Sequence, residues 1–126
     1  MTGSLPILLA YLAGIALLAV GAGALARPHG LAQSYGLPVE EPNGLNFVRA
    51  TGARDVVLGA ILIAVAYLHD PLALAVVIAA GLALSLADFT IAFVGGGGIH
   101  RAHVTHIGGA IAFAVILALL LATLRR

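Results

Sequence analysis

Apolar residues run along this chain in four long blocks, each closed by a short polar, proline or glycine cluster. They do not alternate as in a half-buried strand, nor do they form the narrow stripe of a soluble amphipathic helix. A helix that crosses a bilayer needs about 20 mostly apolar residues, because lipid offers its backbone no hydrogen-bond partner. The blocks predict spans at about 5–26, 45–68, 72–94 and 99–124. The breaks between and after them are Arg27-Pro28, His69-Asp70-Pro71, the run Gly95 to Gly98, and Arg125-Arg126. Between the first two spans, the stretch from Pro28 to Gly44 reads as a loop, since its prolines and glycines are expected to break any helix.

Composition removes the soluble alternative. The chain is 62% hydrophobic and 9% charged over 126 residues, against about 45–50% and about 25% for an ordinary globular domain. That length holds one domain. The expected fold is an all-α, integral membrane four-helix up-down bundle. The first block carries Ala24-Leu25-Ala26, a small-residue pattern of the kind a signal peptidase cleaves. No positive charge precedes it and the apolar run is long, so it is read as a span.

Charge and cysteine content exclude several function classes. Six arginines and no lysine face five carboxylates, a formal net charge of +1, which offers no footprint for nucleic acid. The absence of cysteine excludes disulfides, thiolate catalysis and cysteine-ligated clusters. Abundant Ala, Gly and Leu with arginine in place of lysine suggests a GC-rich bacterial genome, hence a bacterial cell membrane. Four spans put both termini and the His69-Asp70 turn on one side, here side A. The long loop and the glycine turn then lie on side B. The arginines near span ends almost cancel between the sides, so the positive-inside rule leaves the orientation open.

The ionisable residues inside the spans are not spread evenly. Arg49, Arg54 and Asp55 lie in the first half of the second span, Asp88 in the last third of the third, and His100, Arg101, His103 and His106 in the first third of the fourth. All fall in the side B half. A charge near the centre of a span costs about 2.5–3.5 kcal/mol on insertion scales, so such groups face protein or water and are partnered. Asp55 lies roughly 15 Å into its helix and Asp88 roughly 9 Å in from the glycine turn, too deep for so short a side chain to reach the surface. Arg49 and Arg101 are near enough to snorkel.

A 100° step per residue groups these positions on faces. Arg49, Gly52, Asp55 and Gly59 form one stripe, with Arg54 off it; Gly81, Ser85, Asp88 and Ala92 form a second; His103, His106 and Ala110 form a third. Three converging stripes predict a partly hydrated polar pocket open toward side B. In it, Asp55 and Asp88 are the candidate acid/base groups with Arg54 beside them, since a carboxyl held away from water can serve as a general acid. Arg49, His103, His106 and Ser85 are the candidate substrate-binding groups. The bland counterpart is an ion-paired cluster that fixes helix packing. His103 and His106 one turn apart could chelate a metal with Asp88 or Asp55, but no glutamate lies in any span to enrich such a site. No metal and no cofactor are assigned. His29, His69 and His100 read as interfacial, and Glu40 and Glu41 as solvated loop charges. The glycine run lacks the Lys-Ser/Thr and the strand of a phosphate loop.

The segment from Arg49 to Gly59, Arg-Ala-Thr-Gly-Ala-Arg-Asp-Val-Val-Leu-Gly, resembles the R-x-x-G-x-R-D-x-x-x-G signature of small four-helix membrane proteins grouped as a domain of unknown function. More distantly, the chain resembles the DoxX-like membrane proteins, some of which accompany oxidoreductase complexes. The resemblance implies the architecture and points to Arg49, Arg54 and Asp55; it implies no activity.

Three functional classes follow. The first is a membrane-embedded enzyme or binding protein for a lipophilic small molecule, with isomerisation, cyclisation or epoxide opening as chemistry that needs only acid/base groups. The second is an accessory or structural subunit of a membrane complex, with a partner subunit or a second copy of itself. The third is a proton-coupled transporter, disfavoured because the polar groups occupy one half of the membrane only.

Overall fold

A computed structural model of the chain describes residues 4–34, 39, 41–95 and 103–125. Its helices are α1 (Ser4–Ala26), α2 (Pro28–Ser34), α3 (Pro42–Leu68), α4 (Pro71–Gly95) and α5 (His103–Leu124). The long four are sufficiently long and apolar to cross a membrane, and the protein is an all-α membrane bundle. At 1.5 Å per residue, the 22 residues of the shortest already span roughly 33 Å, the thickness of a hydrocarbon core. Residues 99–102, assigned above to the fourth span, lie outside the described residues, as do Glu40, His100 and Arg101.

Where the sequence predicted an uninterrupted loop, the backbone forms α2, and α3 begins at Pro42 rather than near Leu45. In both places the proline opens a helix. At the first helical position its missing N–H leaves no bond unmade and its fixed φ suits the turn. Pro28 and Pro42 therefore start helices where a break was expected. The Asp70-Pro71 pair works the same way. The Asp70 carboxylate accepts hydrogen bonds from the backbone N–H of Leu72 and Ala73, each at 3.0 Å, and so caps α4. His69 closes α3 in the left-handed region at φ 55°.

The long helices pack as two intimate pairs, α1 with α3 and α4 with α5, while α3 touches α4 and α1 touches α5 much more sparingly. Glycine explains the first pair. The antiparallel register sets Gly14 opposite Gly59 and Gly21 opposite Gly52, so that a Cβ on Gly21 would lie 2.5 Å from the Gly52 carbonyl oxygen and one on Gly59 would lie 2.7 Å from that of Gly14. Small residues let two backbones approach this closely in lipid, where dispersion contacts drive association. In the second pair Gly81 receives the ring of Phe113, whose edge would stand 2.9 Å from any Cβ placed there.

The apolar core sits toward side A. Ala10, Leu62, Ala66, Leu74, Ala75, Ile78, Phe113, Ile116 and Leu120 form one buried cluster. Pro6, His69, Pro71 and Leu124 line one cleft, which places the start of α1, the α3–α4 turn and the end of α5 at the same end of the bundle. Outward positions such as Leu5, Leu8, Leu12 and Ile15 on α1 are exposed, as lipid-facing residues should be. The side B half is filled quite differently.

Candidate functional site

The register that brings Gly52 and Gly59 of α3 onto α1 also buries the residue midway between them. Asp55 retains only 7% of its surface. Arg54, one step around the helix, points off that seam toward α4. Its guanidinium grips Asp88 with two nitrogens, Nη2 to Oδ2 at 2.8 Å and Nη1 to Oδ1 at 3.3 Å. Nη2 and Nε reach Asp55 Oδ1 at 3.1 and 3.3 Å. One guanidinium thus stands between two carboxylates. The fork geometry suits Arg and would not suit Lys, which lacks the planar donor array.

Both side chains of the Arg54–Asp88 contact remain partly accessible, 35% for Arg54 and 28% for Asp88. The space they reach is a cavity of about 250 Å³ between the helix pairs. Ala13, Ala16, Leu17 and Val20 of α1, Leu58 of α3, Leu84 of α4 and Phe113 of α5 give it apolar walls, and Arg54, Asp55, Ser85, Asp88 and His106 supply polar groups. A second cavity, of about 480 Å³, lies nearer side B under α2 and the start of α3. Ala32, Phe47, Val48, Thr51 and Ile91 are among its walls, and Arg54, Asp88 and His106 belong to it as well.

The candidate residues separate cleanly by location. Arg54, Asp55, Asp88, Ser85 and His106 meet around the inner cavity. Arg49 does not join them; it is exposed, and its Nη1 donates to Asn46 Oδ1 at 3.2 Å. His103 is buried to 1% exposure and lies edge-on to Phe89 and Phe93, with ring centroids 5.9 and 6.4 Å away. Sequence reasoning named no residue of α1 for the site, yet α1 supplies a whole wall. Its only trace in the sequence is the small-residue run around Ala13, Gly14 and Ala16. Among the described residues, no group of three or more His, Asp or Glu gathers to hold a metal ion.

Chemically, the arrangement offers a carboxylate pair held by a shared cation, a hydroxyl and an imidazole, at the edge of an otherwise apolar space. Such a place can orient an oxygen and exchange a proton with it while the carbon skeleton stays dry.

A family model described as a domain of unknown function (DUF4267) matches residues 14–120, and the chain belongs to that family. No curated protein and no solved structure matches it.

Proposed function

We propose that this family member is an integral protein of a bacterial cell membrane that binds, or by acid/base chemistry transforms, a lipophilic small molecule. One observation carries the reading: the in-membrane carboxylates and the arginine between them border a cavity with apolar walls. Desolvated charges are retained in a span at a cost, and a space beside them gives that cost a use. Asp88, the more accessible acid, exchanges a proton with the ligand in this reading. Asp55 holds Arg54, and Ser85 and His106 contribute hydrogen bonds. Isomerisation, cyclisation or epoxide opening requires no more than this.

The test is native mass spectrometry of the protein released from mild detergent, with Asp88→Asn and Asp55→Asn alongside. A lipophilic adduct on the wild type that is lost from folded variants supports the reading. A bare wild-type chain, together with variants that fail to accumulate, overturns it.

A second reading has a specific observation in its favour. Arg54 and Asp88 tie α3 to α4 where the two helix pairs otherwise touch sparingly, so the cluster also suits internal glue in an accessory subunit. Co-purification of a stoichiometric partner subunit would favour it.

A further inference from the structure

The two cavities have separate walls but share Arg54, Asp88 and His106. The polar cluster is therefore a partition, with apolar space on both of its sides. A pocket for a molecule with a terminal polar group needs apolar space on one side only. We propose that the two cavities are halves of a single binding site for a lipophilic molecule whose oxygen function lies within its skeleton, flanked by apolar portions on both sides. The inference rests on the binding function proposed above and specifies the ligand's class.

The volumes set the proportions. A cavity of about 150 Å³ accepts benzene, so the inner space of about 250 Å³ takes on the order of ten carbons. The outer space, about 480 Å³, takes the longer arm. At the divide, Asp88 can accept from a hydroxyl and Arg54 can donate to it, since both remain partly accessible. An apolar tail would then fill the inner cavity against Ala16 and Ala112, which line that cavity and not the outer one.

Purified protein in nanodiscs is titrated with two isomeric long-chain alcohols of on the order of thirty carbons, one hydroxylated mid-chain, about ten carbons from one end, and one at its end. Binding is read by native mass spectrometry and by the shift in Tm. The mid-chain isomer is expected to bind about tenfold more tightly, a difference of about 1.4 kcal/mol. Ala16→Leu, or Ala112→Leu on α5 should the first fail to fold, is expected to move the preference to an isomer whose hydroxyl lies nearer one end, because the inner arm must shorten. Val48→Phe, in the outer cavity, shortens the other arm by the same logic and should weaken the end-hydroxylated isomer, whose whole chain lies on that side, more than the mid-chain one. Equal affinity for the mid-chain and end-hydroxylated alcohols overturns the two-sided site and leaves the binding function standing. If neither alcohol binds, and the native protein carries no lipophilic adduct, both fall.

Discussion

Removing the cation from the carboxylate pair is the sharpest probe of this structure. Arg54→Gln deletes a two-nitrogen contact to Asp88 and a second contact to Asp55. It leaves two acids near each other, one of them with 7% of its surface exposed. Breaking a fully buried pair from one side costs about 3–5 kcal/mol, because a charge is stranded without compensation. Arg54 is about one-third exposed at its side chain, so water screens part of that, and about 3 kcal/mol is the expected loss. Asp88→Asn is milder. The amide oxygen can still accept from Arg54 and the arginine keeps Asp55, so about 1 kcal/mol is expected. The double variant Arg54→Gln/Asp88→Asn strands one acid instead of two. It should therefore lose about 2 kcal/mol less than the two single losses added together. Reversible unfolding by SDS in mixed micelles measures all three. Strict additivity would refute the shared-cation geometry, as would an Asp88→Asn loss equal to that of Arg54→Gln.

Further outcomes follow from the packing. Gly21→Ala and Gly52→Ala each push a Cβ into the facing backbone and should cost about 1–3 kcal/mol by overpacking. Gly23→Ala, with nothing within 4 Å of its would-be Cβ, should gain up to about 1 kcal/mol of helix propensity; the same unfolding assay separates them. Asp70→Ala removes the cap of α4 and should cost about 1 kcal/mol, with ligand binding unchanged because the turn lies at the opposite end. Arg49→Gln, an exposed side chain bonded to its own helix, should change stability by under about 0.5 kcal/mol and leave the lipophilic adduct in place by native mass spectrometry.

Much of the fold was legible in the sequence for a physical reason. Lipid cannot satisfy a bare backbone, so unbroken apolar blocks of this length, without the alternation of a barrel strand, form spanning helices, and the count of blocks gives their number. The 3.6-residue period likewise grouped Gly52, Asp55 and Gly59 on one face and gathered Gly81, Ser85 and Asp88 on another, before any packing was known. What the sequence misassigned, it misassigned through local ambiguity. Proline stops a helix in its interior and starts one at its first turn, so Pro28 and Pro42 could not by themselves reveal α2 or the early start of α3.

Partner choice belonged to the tertiary structure. Periodicity placed Arg54 off the stripe and left its neighbour undetermined; only the seating of α3 on α1 turns its guanidinium toward α4 and Asp88. The same seating leaves Arg49 outside the site, although it shares the Asp55 face of an ideal helix. Likewise, the wall contributed by Ala13, Ala16, Leu17 and Val20 carries no chemical signature, and it became part of a site only when the two helix pairs met loosely enough to leave space between them. The order of residues on each helix follows from backbone geometry and is written in the chain. Which faces meet, and where they leave room, depends on close packing among all four helices at once.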